Sequence, residues 1–279
     1  MQLIDGKKIA ERIKDEIVQE IVKLGARPNL AIVLVGERDD SKLYVKLKEK
    51  QAKEVGIDTH LYQCDADIAE TELISMIDFL NADELVDGIL VQLPLPEGLD
   101  ADKVIERIRP DKDVDGFHPY NLDKMLATCH YEIEPPLIGV IREALKEVNC
   151  EVRGKLVAAA VNSEIFGRVI KHFFECAGAR VELIYNGEIT SNKWLKRAEV
   201  VVTALGQPEV IKGEMLKDDV IVIDIGISRL PDGRVVGDVD AASTKELNGY
   251  LTPVPGGVGP VTIAMAFKNT LRLYKNKNK

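Results

Sequence analysis

Apolar runs of strand length alternate with helix-patterned segments almost from one end of the chain to the other, and no other feature restricts its fold as much. The runs are "LAIVLVG" (30–36), "GILVQLPLP" (88–96), "KLVAAAV" (155–161), "RVELIY" (180–185), "EVVVTALG" (199–206) and "VIVIDIGI" (220–227). Strands that are apolar along their whole length are buried on both faces, as happens in parallel sheets covered by helices. Between them, "SKLYVKLKEKQAKEV" and "SEIFGRVIKHFFECA" carry apolar residues at helical spacing and run into Gly56 and Gly178, which suit a helix C-terminal cap. The chain therefore reads as α/β, built of βαβ units.

Two breaks divide this pattern. The segment "RPDKDVDGFHPYN" (109–121) is rich in Pro, Asp and Gly and separates two sets of strands; "TPVPGGVGP" (252–260) precedes "VTIAMAFKNTLRLY", which reads as one amphipathic helix. With 279 residues, 46% of them hydrophobic, there is enough apolar material for two cores. The expected organisation is an N-terminal α/β catalytic domain, 1–118 completed by 258–279, and a Rossmann-like parallel-sheet domain over 119–257. The site is expected in the cleft between them.

Charge and composition narrow the function. A net charge of −9 and an isoelectric point near 5.2 argue against a nucleic-acid binder or a protein drawn to anionic membranes, either of which needs a concentrated basic face. The N-terminal "MQLIDGKKIAERI" has no apolar signal core, and no run approaches the roughly 20 apolar residues of a membrane span, so a cytoplasmic protein is expected. Cys64, Cys129, Cys150 and Cys176 are widely spaced along the sequence, and His60, His118, His130 and His172 never fall at metal-ligand spacing, so neither a metal site nor a disulfide is expected.

Several residues could carry chemistry. Tyr44 and Lys48 are four apart and share one helix face, which sets an aromatic platform beside an amine; an incidental surface pair is the plain alternative. The lysine can move protons near neutral pH only if its surroundings hold its pKa well below the usual value of about 10.4. Gln92 sits in an apolar run that reads as a buried strand, where an amide needs partners for donor and acceptor alike and marks either a structural network or a site at the strand's C-terminal end. Asp113 and Asp115 precede Gly116 in what is either a solvated turn or a ligand contact. "PVPGGVGP" gives a stiff loop of bare backbone, suited to a ligand's close approach or to a tight connection.

Together, "YVKLK", "GILVQLPLP", "KDVDGFHP", "VIDIGI" with "GDVD", and "PVPGGVGPVTIAMAFKNT" resemble the bifunctional methylenetetrahydrofolate dehydrogenase/methenyltetrahydrofolate cyclohydrolase family over nearly the whole chain. The resemblance implies a protein of one-carbon metabolism that oxidises 5,10-methylenetetrahydrofolate with NADP or NAD and hydrates the methenyl product to 10-formyltetrahydrofolate. It implies that Lys48 handles the proton of the hydration step, that Gln92 holds and tunes it, and that Tyr44 stacks on the folate rings. Asp115 would bond the pterin edge, while Val91, Leu93 and the backbone of Pro253, Pro255, Gly256, Gly257, Gly259 and Pro260 would line the folate site. A homodimer is implied as well.

The cofactor half departs from the family pattern. Where the family reads "GRSxxVGxP", this chain reads "VNSEIFGRV", with Val161, Asn162 and Val169 in place of Gly, Arg and Pro while Ser163 and Gly167 remain. "EPPLIG" (134–139) replaces "PCTPxG", and Tyr185 with Asn186 replaces His-Ser. A β-branched residue at a tight turn is expected to hinder a pyrophosphate, and loss of the Arg to disfavour NADP. The expected cofactor contacts are Val161, Asn162, Ser163, Gly167 and Ile227, with Glu188 placed to meet an adenosine ribose. Three outcomes stay open: both reactions through a modified loop, the cyclohydrolase step alone, or a folate-binding protein without catalysis. An unrelated two-domain dehydrogenase would need its cofactor loop more than this chain does, and a pure folate sensor would have little use for Lys48.

Overall fold

The computed structural model describes residues 1–189 and 193–278. In chain order the elements are β1 (Gln2–Leu3), α1 (Gly6–Leu24), β2 (Asn29–Val35), α2 (Asp39–Val55), β3 (Asp58–Cys64), α3 (Glu70–Ala82), β4 (Gly88–Val91), α4 (Ala101–Arg107), α5 (Pro119–Ala127) and α6 (Pro136–Glu147). They continue with β5 (Leu156–Val161), α7 (Glu164–Cys176), β6 (Arg180–Tyr185), β7 (Val200–Ala204), β8 (Ile221–Asp224), β9 (Ser228–Arg229), β10 (Val235–Val236), β11 (Tyr250–Leu251) and α8 (Val258–Lys277). The α/β expectation holds. Among the described residues no helix is long and apolar enough to cross a membrane.

The chain divides into two compact units, one of Arg12–Pro136 with Ile263–Lys279, the other of Met1–Glu11 with Leu137–Thr262. These limits differ from the expected 1–118 plus 258–279 and 119–257 at three places. Met1–Glu11 belongs with the second sheet because β1 pairs with β11, Gln2 opposite Tyr250. The Pro- and Asp-rich segment 109–121 lies inside the first unit, since Lys112 to Val114 run beside β4: the Ile89 N–H donates to the Lys112 carbonyl at 2.7 Å. The C-terminal division falls after Thr262, five residues into α8, rather than before Val258.

The first unit holds a three-stranded parallel sheet in the order β3-β2-β4. Leu30 to Val35 of β2 are all buried, and the helical face packed on the sheet supplies Leu73, Ile77 and Leu80 of α3. Strand β3, "DTHLYQC", mixes polar and exposed positions because it is an edge, which is why no apolar run announced it. Strand β4 stops at Val91, short of the expected 88–96, since Pro94 and Pro96 cannot donate to a ladder.

The second unit holds a six-stranded parallel sheet in the order β1-β11-β8-β7-β5-β6, with the short antiparallel pair β9-β10 beside it. Val157 to Val161 and Val200 to Val202 are fully buried. Helix α7 packs on β5 and β6 through Phe166, Gly167, Val169, Ile170 and Phe174. Gly56 ends α2 in the left-handed region at φ 85° and Gly178 follows α7 at φ 82°, as their places in the sequence predicted.

Candidate active site

In the first unit the expected residues gather at the C-terminal edge of the sheet. Lys48 stands on α2, one turn beyond Tyr44, and its Nζ donates to Gln92 Oε1 at 2.9 Å. Gln92 lies just past the end of β4 and half-buried, not inside a buried strand as the apolar run suggested. Its own Nε2 donates to the Leu93 carbonyl at 2.6 Å, so both ends of the amide are engaged and its orientation is fixed. Val91 is buried at the strand end, whereas Leu93 is 44% and Tyr44 38% exposed, leaving an aromatic and an aliphatic face open.

Asp115 reaches the same edge because its segment runs parallel to β4, with Ile89 opposite Asp113. Two residues further along both chains stand Val91 and Asp115. Asp113 is buried rather than solvated. It accepts from the N–H groups of Gly116 (3.0 Å) and His118 (2.9 Å) and from Asn121 Nδ2 (3.0 Å), which makes it the clasp of the turn and not a ligand contact. Gly116 turns at φ 67° against the backbone of Glu134 and Pro135. The buried Asn269 of α8 donates to the carbonyls of Val114 and Glu134, both at 2.8 Å, and holds the segment from the other side. The sequence signal for Asn269 was an amide on the apolar face of "VTIAMAFKNT", a signal the expected site did not include.

Electrostatics at this edge favour proton transfer. Burial pushes the Lys48 amine below its ordinary range, and the Asp115 carboxylate only partly opposes this. Burial likewise raises the Asp115 carboxyl to about 6; the Lys48 charge lowers it and the Asp113 charge raises it further. An amine lowered and a carboxyl raised by burial side by side are a pair suited to acid–base chemistry. A groove elsewhere in the unit, lined in part by Arg109, Tyr120, Lys124 and Lys277, includes none of Tyr44, Lys48, Gln92 and Asp115.

In the second unit the loop after β11 is as tight as its composition suggested. The Val254–Pro255 peptide is cis, Gly256 has φ 104°, and the Gly257 N–H donates to the Pro253 carbonyl at 2.7 Å. A Cβ on Gly257 would stand 2.6 Å from that carbonyl oxygen, and one on Gly6 would stand 1.7 Å from the Gly257 oxygen. Only bare backbone fits. Pro255 is exposed, Pro253, Gly256, Gly259 and Pro260 are half-buried, and Gly259 and Pro260 already belong to the first turn of α8.

The loop after β5 corrects the expectation for Val161. That residue is the last of β5 and wholly buried, with Cγ2 turned toward Gly167, whose added Cβ would come within 3.0 Å. It is not at the turn, so its β-branch does not stand where a pyrophosphate would approach. Gly167 lets α7 approach the sheet closely, a packing role. The turn itself is Asn162–Ser163. Ser163 caps α7, its Oγ accepting from the Phe166 N–H at 3.3 Å, and Asn162 Nδ2 donates to the Leu205 carbonyl at 3.0 Å.

The N-terminus of a thirteen-residue helix thus opens at the C-terminal ends of parallel strands; Ile165 in its first turn and Ile227, which follows β8, are exposed. These are the donor set and apolar surface that a dinucleotide requires. The exposed Glu188 accepts from the Tyr185 N–H at 3.4 Å, a local turn contact beside residues 190–192, which lie outside the described residues.

Residues 4–115 match the family model described as tetrahydrofolate dehydrogenase/cyclohydrolase, catalytic domain, and residues 137–278 match that of its NAD(P)-binding domain. The chain belongs to the tetrahydrofolate dehydrogenase/cyclohydrolase family. It is 41% identical to the bifunctional protein FolD of Nautilia profundicola over 99% of this chain and 98% of that one. The crystal structure of the bifunctional FolD dehydrogenase/cyclohydrolase from Campylobacter jejuni superposes with a TM-score of 0.91 at 37% identity, covering 99% of each chain. That of the Trypanosoma brucei enzyme, complexed with NADP cofactor and inhibitor, gives 0.92 at 32% identity over 99% of this chain and 98% of that one. Membership makes the chain an enzyme of one-carbon folate metabolism, with a catalytic and an NAD(P)-binding domain.

Proposed function

We propose that Lys48 is the proton-handling group of the hydration step and that both activities of the family operate here, the observation that carries this being the 2.9 Å contact from Lys48 Nζ to the fixed Gln92 amide. Water adds to the electrophilic methenyl carbon and must lose a proton as the new C–O bond forms. An amine held below its ordinary pKa accepts that proton. Opening of the five-membered ring then breaks the bond from this carbon to N5. The proton returns to N5 while the added hydroxyl gives up its own to become the formyl oxygen, so one proton is released per turnover. Gln92 Oε1 keeps the lysine pointed at the reacting carbon.

Tyr44 offers the aromatic face for the folate rings, Asp115 accepts from the amino edge of the pterin, and Val91 and Leu93 line the apolar side. The bare backbone of Pro253, Pro255, Gly256, Gly257, Gly259 and Pro260 is the further folate contact that the resemblance implies. The bound nicotinamide supplies a hydride acceptor for the methylene carbon. Ser163 and the start of α7 would hold its pyrophosphate, Asn162 would shape the turn, Gly167 would let α7 close on the sheet beneath it, and Ile227 would offer an exposed apolar contact. With Asn162 where the family has Arg, NAD is accepted alongside NADP. A cytoplasmic homodimer completes the reading, and sedimentation at micromolar concentration tests the dimer.

The direct test is Lys48→Met. Methenyltetrahydrofolate hydrolysis is expected to fall by a factor on the order of 10² to 10⁴, with nucleotide affinity unchanged; retention of full hydrolysis removes the assignment.

A further inference from the structure

"VIDIGI" and "GDVD" carry two acidic residues, Asp224 and Asp238, that the reactions above leave unused. Both side chains are buried in the second unit, Asp238 entirely. Asp238 Oδ2 accepts from Thr203 Oγ1 and from the Leu205 N–H, each at 2.7 Å, and its Oδ1 accepts from the Gln207 N–H at 2.9 Å. Asp224 Oδ1 accepts from the N–H groups of Gly226 (3.0 Å) and Asp238 itself (3.1 Å), and its Oδ2 from the Val239 N–H (2.9 Å). The two segments interlock. A Cβ on Gly226 would lie 2.2 Å from the Asp238 carboxyl carbon, and one on Gly237 would lie 2.0 Å from Asp224 Oδ2. Each carboxylate fills the space that the other segment's glycine leaves.

Such a pair is costly to bury when its donors are backbone amides and a hydroxyl rather than cations, and burial together with the Asp238 charge raises the Asp224 carboxyl to about 7 against the pull of those amides. Apolar side chains would fill the same space at less cost. What each carboxylate adds is three accepted hydrogen bonds, and apart from Thr203 inside β7 the groups it holds follow the C-terminal end of a strand. Leu205 and Gln207 follow β7, Gly226 follows β8, and the Leu205 carbonyl in turn receives Asn162 Nδ2 from the turn after β5.

We propose that Asp238, seated on Asp224, is the positioning residue of the dinucleotide site, fixing the loops after β7 and β8 and, through Leu205, the Asn162 turn. This rests on the reading that the nucleotide binds at that edge of the six-stranded sheet. It predicts a separable defect. In Asp238→Asn an amide nitrogen replaces one acceptor and faces an N–H or O–H donor, so a loop contact is lost while the first unit keeps its Lys48 centre.

The test is calorimetric titration of the full-length protein with NADP and with NAD, alongside methenyltetrahydrofolate hydrolysis. Asp238→Asn is expected to weaken nucleotide binding at least about tenfold with hydrolysis within about twofold of the parent, and Thr203→Val, which removes one donor, to weaken it a few-fold. If the parent binds neither nucleotide, the reading of the edge fails and the inference with it. If the parent binds but both variants bind as tightly, or lose hydrolysis in equal measure, the inference alone is overturned. Should Asp238→Asn not fold, Thr203→Val decides by the same criteria.

Discussion

A lysine becomes useful as a base near neutral pH only when its charge is made costly, and here burial does that while Gln92 fixes where the amine points. The pH behaviour follows with a definite sign. On the proposed role of Lys48, hydrolysis needs the amine neutral, so its rate climbs as pH rises through the lowered amine pKa and levels off at lower pH than an ordinary lysine would allow. On the proposed role of Asp115, whose carboxyl is raised to about 6, the ionised form holds the pterin amino group more strongly than the protonated form, so the KM for folate should increase as pH falls below that value. Asp115→Asn should show a KM that is high at every pH and nearly flat. A parallel pH profile in parent and variant would show that Asp115 does not face the substrate. At this scale Tyr44, Lys48 and Gln92 were legible because their spacing and the odd amide in an apolar run have chemical meaning. Asp113 and Val161 were not. Asp113 reads as part of a solvated turn and is a buried clasp. Val161 reads as a turn residue and closes a strand, because one residue of register decides whether a side chain faces a ligand or the core.

Among elements, the loop 252–260 leaves little room for change. Gly257 lies 2.6 Å, at its would-be Cβ, from the Pro253 oxygen, and Gly6 at the start of α1 lies closer still to the Gly257 oxygen. Gly257→Ala should destabilise the protein by about 1–3 kcal/mol, measured by urea unfolding, with folate affinity reduced in the same variant. An unaltered midpoint would mean the loop shifts freely and is not the rigid contact described. Strands β2, β4, β5, β6, β7 and β8 were readable as apolar runs, and helices α2, α7 and α8 from helical spacing. The others were not singled out: helices α1, α3, α4, α5 and α6, the edge strand β3 with its polar positions, and the two-residue strands β1, β9, β10 and β11, which have too few positions to show a period.

For the whole molecule, two compact units accompany two family matches, a catalytic domain and an NAD(P)-binding domain. The first unit holds Lys48 and Gln92; the second holds the parallel sheet and capped helix that the proposed function gives to the nucleotide, and the loops that Asp238 and Asp224 bind. The alternation of apolar runs and the two breaks in it announced two domains, but the limits of the units did not follow from proline and glycine content. The 109–121 segment is anchored beside β4 by backbone bonds, and the first eleven residues follow β1 into the second sheet. The altered phosphate loop is the place where sequence alone pointed toward loss of the cofactor, and the buried position of Val161 removes the steric reason for it. The measurement that bears most directly on this account is oxidation of 5,10-methylenetetrahydrofolate by the purified protein, followed by absorbance with NADP and with NAD in separate reactions. Turnover with at least one of the two, by the same preparation that hydrolyses methenyltetrahydrofolate, is the predicted result; hydrolysis without oxidation by either nucleotide would contradict it.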